Sequence, residues 1–289
     1  MRLEGRRESS NVDDRRGKST GKVAGGLGLG GLVIVALFTL LRGGGLGDVL
    51  QQVATSGYTY ATEDGSSYQP TAEDEELAKF ASQILAGTED VWTAEFKKYD
   101  KTYRAPKLVL FSGSVQSGCG GATSSSGPFY CSADESVYID LDFFKTMKRQ
   151  FGTAGDFAYA YVIAHEVGHH VQNLLGTLSQ AHSQMARVSQ TESNQISVRL
   201  ELQADFYAGV WAYNDNKMFG SLEAGDVEEG LAIAAKIGDD YLQKQTYGRT
   251  QPETFNHGTS AQRQKWLKKG LTTGDVRQGD TFSPAYSQL

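Results

Sequence analysis

The chain has 289 residues, of which 39% are hydrophobic and 21% charged, and its 28 Lys/Arg against 34 Asp/Glu leave a net charge of -6. That length is enough for one sizeable catalytic domain with accessories. The acidic balance argues against a nucleic-acid binder, and two cysteines supply too few thiolates for a metal site of their own.

Taken in chain order, the first feature is a basic N-terminus, with seven Lys/Arg against four Asp/Glu before Val23. It runs into 19 uncharged residues at 23–41, just long enough to cross a hydrocarbon core of about 30 Å as a helix. Glycines 25, 26, 28, 30 and 31 weaken the first half, so the strongly apolar part is 32–41. A cleaved signal peptide is the rival, but no clear small-residue cleavage site precedes Arg42. The pattern therefore predicts a cytoplasmic segment at 1–22 and a transmembrane helix at 23–41. The positive-inside rule then puts everything after Arg42 outside. Residues 42–70, rich in Gly, Ser, Thr, Tyr and Gln, read as a flexible linker to a folded domain at 71–285.

Thr71 and Asp74 have the spacing of a helix cap ahead of Leu77, Phe80, Ala81 and Leu85, and a second helix is expected over 88–99 with Val91, Trp92 and Phe96. Residues 107–115 and 136–141 read as strands. The second of these is either an edge on which an extended substrate could lie or a plain core strand. Between them, Cys119 and Cys131 bracket a Gly/Ser-rich loop and are expected to pair as a disulfide, worth roughly 2–4 kcal/mol.

The most informative stretch is His165-Glu166-Val167-Gly168-His169. A helix over 154–175 is predicted from Phe157, Ala160, Ala164, Val167, Val171 and Leu174, with a capping pattern at Thr153 and Asp156 and a stop at Gly176. On it the two histidines share one face and can bind a single zinc, while Glu166 can serve as base for a water that the ion activates. His170 points away and reads as a surface or supporting residue. A catalytic zinc needs a third protein ligand. The arrangement with a third histidine six residues on is excluded, because Gln172 and Leu175 stand at its diagnostic positions. His182 lies in a polar stretch and is a poor candidate. Glu201 is the better one, one turn before Asp205 on a predicted helix at 192–213. Glu201 would ligate zinc, and Asp205 would accept the second ring N–H of a zinc histidine. The bland alternative is a solvated acidic face neutralised by Arg199 or Lys217.

Further on, residues 220–241 hold at least one helix with Ala232, Ile233, Ala235 and Ile237 inward, and a short helix with Trp266 and Leu267 follows His257. Either His257 or Arg263 could donate to a developing oxyanion.

With these residues in view, the chain resembles the bacterial putative neutral zinc metallopeptidase family. The resemblance rests on the opening Met1-Arg2-Leu3-Glu4-Gly5-Arg6-Arg7-Glu8-Ser9-Ser10-Asn11, the Cys119-to-Cys131 segment, the His165-Glu166-x-x-His169 and Glu201-x-x-x-Asp205 pair, and Asn256-His257-Gly258-Thr259-Ser260-x-x-Arg263. It implies an α+β fold: a mainly helical, zincin-like metallopeptidase domain with a small β-sheet, preceded by one transmembrane helix. It also implies a single-pass protein of the bacterial inner membrane with its catalytic domain on the periplasmic or extracellular side. Zn²⁺ would be held by His165, His169 and Glu201, with Glu166 as general base for hydrolysis of a peptide or protein substrate. The rival functions are a non-catalytic, membrane-tethered zinc-binding scaffold and a zinc amidase acting on cell-wall peptides.

Overall fold

A computed structural model describes residues 1–17, 68–151 and 155–289. They form a mixed α/β, mostly helical protein with small sheets, divided into two compact units. One comprises residues 1–7, 83–105 and 154–289, and the other 8–82 and 106–153.

The second unit is built on a four-stranded sheet in the order β1 (Val12–Asp14), β2 (Lys107–Phe111), β6 (Ser136–Asp140), β5 (Phe129–Cys131). The first three are parallel and β5 runs antiparallel to β6, with Leu108 opposite Val137 and Val109 opposite Tyr138. β6 is buried along its whole length, as its run of Val137, Tyr138 and Ile139 suits a strand covered on both faces. The edge-strand expectation for this segment is thereby corrected, because β2 and β5 occupy both sides of β6 and leave no backbone for an added strand. The expected strand at 107–115 is two strands, since Gly113 takes a positive φ of 79° that turns the chain into the hairpin β3 (Ser114–Ser117) and β4 (Gly120–Thr123). Val109, Phe111, Val115, Ala122, Cys131 and Tyr138 form the core here, and Cys131 is disulfide-bonded to Cys119.

β1 overturns the single-pass arrangement. One crossing between residues 17 and 68 would put β1 and β2 on opposite sides of a bilayer, yet they are hydrogen-bonded neighbours, Val12 opposite Leu108. Among the described residues no helix is long and apolar enough to cross a membrane, and the expected span at 23–41 lies outside them. Both the transmembrane helix in the fold expectation and the single-pass inner-membrane location drawn from it are therefore corrected. The N-terminus is not a separate segment either. In the first unit, Arg6 grips the buried Asp215 with two hydrogen bonds, of 2.8 and 3.2 Å, and Arg7 pairs with Glu89 and Asp90.

Helix α1 (Ala72–Lys97) begins at a reciprocal cap in which Thr71 and Asp74 bond each other's backbone N–H. It is one helix where two were expected. Gly87 does not break it, because a side chain there would meet the Asp215 carboxylate, so the glycine serves close approach. α2 (Leu141–Phe151) follows β6 directly.

The first unit centres on α3 (Asp156–Leu174) and α5 (Gln190–Phe219), which run antiparallel; α4 (Thr177–Met185) joins them. Residues 152–154, and with them the expected Thr153 cap, lie outside the described residues; Gly155 is the N-cap. α5 exceeds its predicted span at both ends, opening on a Ser189–Glu192 capping box and closing at Gly220 in the left-handed region. Gly168 lets the two helices approach closely: a Cβ there would lie 3.0 Å from the Ala204 carbonyl oxygen. The 220–241 stretch resolves into α6 (Asp226–Lys236) and α7 (Asp239–Tyr247), with Ile233 and Ala234 buried. α8 (Ser260–Thr273) packs against α5 through Gly209 and Gly270, where any side chain would strike the facing backbone.

Candidate metal centre

α3 is buried nearly all round, so its polar side chains stand out, and two of them converge with one from α5. His165, His169 and Glu201 place one donor atom each within 4.8 Å of one another. The Nε2 atoms of His165 and His169 lie 3.2 and 3.5 Å from the two Glu201 oxygens. Antiparallel pairing at the Gly168–Ala204 contact fixes this register and brings Glu201 level with both rings. The cluster is recessed but open: the side chains of His165, His169 and Glu201 are 9%, 14% and 17% exposed.

Each ring is held from behind through its other nitrogen. His165 Nδ1 lies 2.8 Å from Asp205 Oδ1, on the residue one turn beyond Glu201. Asp205 is fully buried and heavily engaged, accepting also from Tyr161 Oη at 2.5 Å and from Arg263 through Nε and Nη2, both at 2.8 Å. Its neutralising partner is thus Arg263, whereas Arg199 donates to the Thr281 and Phe282 carbonyls. This corrects the reading of Arg263 as an oxyanion donor, because its guanidinium is committed to Asp205, Tyr161 and the Ile237 carbonyl. His169 Nδ1 donates to Gln172 Oε1 at 2.9 Å.

The electrostatics follow from this geometry. Burial opposes ionisation of Glu201, but His169 and His165 beside it hold its carboxyl well below the usual range. Burial likewise opposes the Asp205 charge, and Arg263 and His165 outweigh it and lower its pKa. For His165, burial favours the neutral ring, yet Asp205 and Glu201 raise its pKa to about 10. Glu166 differs from all of these. Burial raises its pKa, countered only partly by the two histidines, and its carboxylate takes no hydrogen bond from any described residue.

His257 also reaches the neighbourhood of Glu201, close enough for the two to influence each other's ionisation. Asp239 holds it, accepting from His257 Nδ1 at 3.3 Å and from the backbone N–H groups of Asn256, His257 and Gly258. Burial lowers the His257 pKa, but Asp239 more than compensates and leaves it raised. The other histidines are elsewhere. His182 is exposed on α4 and outside the donor cluster. His170 is fully buried, not on the surface, and its Nε2 donates to the Arg104 carbonyl.

Tyr161, Gln172 and Asp239 were missed by sequence reasoning. Tyr161 and Gln172 carry a signal in retrospect, since they are polar residues four before His165 and three after His169 on a buried helix, where a side chain meets its ligand neighbour.

The family described as Putative neutral zinc metallopeptidase matches residues 1–282, which include every residue of this cluster. The chain belongs to that family. Similar members include the uncharacterized protein YpfJ of Escherichia coli K12, 48% identical over 98% of this chain and 99% of its own length. The uncharacterized protein Rv2575 of Mycobacterium tuberculosis H37Rv is 45% identical over 72% of each chain. No solved structure matches. The family description names zinc and peptidase activity, and among the described residues His165, His169 and Glu201 form a group that could hold a metal ion.

Proposed function

We propose that the protein hydrolyses peptide bonds with a single zinc ion held by His165, His169 and Glu201. The observation that carries this is the convergence of two imidazole nitrogens and one carboxylate oxygen beside Glu166, whose carboxylate takes no hydrogen bond from any described residue. Two nitrogens and an oxygen suit zinc, and three ligands in an open recess, in place of four in a closed one, suit a catalytic site. Bound there, zinc would supply Lewis acidity, polarising a peptide carbonyl and lowering the pKa of water toward 7.

The chain's own residues do the rest. Glu166, with no hydrogen bond from any described residue and raised in pKa, takes the proton of the attacking water and delivers it to the leaving nitrogen. Asp205 fixes the His165 ring through Nδ1, leaving Nε2 to face the cluster. His257, oriented by Asp239, is the side chain available to donate to the oxygen on which negative charge develops.

Glu166→Gln removes the base and leaves the donors intact. It is expected to retain zinc at the parental stoichiometry while cleavage of a proteome-derived peptide library falls about 10²–10⁴-fold. Parental cleavage by this variant would refute the role of Glu166. Zinc no higher in the parent than in a His165→Ala control would refute the metal reading itself.

A further inference from the structure

We propose that Gln172 is a positioning residue for the metal centre, setting the face that His169 presents and at the same time anchoring the turn of α5 that carries Glu201. The proposal rests on the zinc reading above.

The two ends of the Gln172 amide are distinguishable by their partners. Gln172 Nε2 lies 2.7 Å from the Leu200 carbonyl oxygen and 3.2 Å from Gln203 Oε1. A backbone carbonyl can only accept, so the end of the amide facing Leu200 must be the NH₂ group. Oε1 therefore faces His169, 2.9 Å from Nδ1. The reverse orientation would set two acceptor oxygens against each other at Leu200, 2.7 Å apart. Gln203 is fixed in turn, because its own Nε2 donates to the Gly279 carbonyl at 2.8 Å and leaves Oε1 toward Gln172.

Two consequences follow. An acceptor at Nδ1 requires that nitrogen to carry the proton, so the lone pair of His169 is on Nε2, the atom that faces Glu201. Leu200 directly precedes Glu201, so the same amide ties α3 to the backbone beside the third donor. Gln172 is itself completely buried, where an unmade hydrogen bond is costly and the amide has no water to turn toward. The arrangement is a neutral counterpart of the Asp205 clamp on His165. It supplies an acceptor without adding negative charge behind the second ring.

Imidazole nitrogen NMR on the zinc-loaded full chain tests the first consequence: His169 should carry its proton on Nδ1 and bind zinc through Nε2. Zinc on Nδ1 would overturn the proposal. Chelator competition tests the second. Gln172→Met, which keeps the volume and removes the acceptor, should weaken zinc binding roughly 10–100-fold and alter the visible spectrum of the cobalt-substituted protein. Gln172→Glu, which restores an acceptor oxygen toward His169, should recover part of that loss, an outcome a merely space-filling role would not give. Parental zinc affinity and an unchanged cobalt spectrum in Gln172→Met would overturn this proposal alone, whereas a parent that takes up no zinc would remove the zinc reading together with it.

Discussion

The two compact units hold their interiors in different ways. The sheet unit has an apolar core of Val109, Phe111, Val115, Ala122 and Tyr138 closed by a disulfide at Cys131, a solution in which any well-fitting hydrophobic set would serve. The helical unit buries a carboxylate, a guanidinium, a phenol and two carboxamides between α3, α5 and α8. An interior of that second kind is not the cheapest way to pack helices, since a buried ion pair often contributes no more than hydrophobic residues of equal volume. Its worth lies in direction. Asp205, Arg263, Tyr161 and Gln172 fix the angles of two imidazoles, and apolar side chains could not.

The largest effect that would sharpen this contrast is expected from Arg263→Leu. Removing one partner strands the Asp205 charge in a fully buried position, so urea denaturation should show a loss of about 3–5 kcal/mol, accompanied by weaker zinc retention. A loss below about 1 kcal/mol would mean that Asp205 finds another partner, and the contrast between the units would fail. Next in size is the double variant Cys119→Ser, Cys131→Ser. Opening a loop of 12 residues should cost about 3 kcal/mol, seen as faster proteolysis within the sheet unit, with zinc content unchanged. If zinc content fell as well, the covalent link would be serving the donors and not only the sheet.

The legibility of the sequence divides along similar lines. The convergence of His165, His169 and Glu201 could be read because helix periodicity alone puts the histidines on one face, and two acidic residues one turn apart on a largely apolar run call for a cation. The partner of Asp205 could not be read, since Arg263 lies 58 residues away and only the α5–α8 contact at Gly209 and Gly270 brings it in. The reading of Gln172 stopped at what it excluded, and its structural task was overlooked. β1 escaped notice because Val12-Asp13-Asp14 has little strand propensity of its own, and pairing with β2 creates the strand. That omission had the widest effect: hydropathy and charge suggested a single membrane crossing, and three residues of parallel pairing are enough to overturn it. One helix spans 72–97 where two were expected, and Gly87 between them need not interrupt it. A helix-interior glycine costs only about 1 kcal/mol, and the packing of α1 absorbs it.

The smallest prediction concerns an ion pair in the sheet unit, where Lys145 Nζ sits 2.5 Å from Asp74 Oδ1 and Thr71 caps the same carboxylate. Burial opposes the charge on Asp74, but Lys145 and Thr71 outweigh it and lower the pKa from 3.8 to about 2. A folded-state value below the unfolded one means that the unfolded chain binds more protons between the two. The pair's contribution is therefore complete above about pH 4 and is lost as the pH falls through about 2. Asp74→Asn should accordingly lower stability by about 2 kcal/mol at pH 7, and the gap from the parent should close as urea denaturation is repeated toward pH 2. A gap that stayed constant with pH would show that the Thr71 cap, and not the charge, is what Asp74 contributes. The sheet unit would then contain no ion pair of consequence at this position, and the division between a unit stabilised by shape and one oriented by charge would be sharper still.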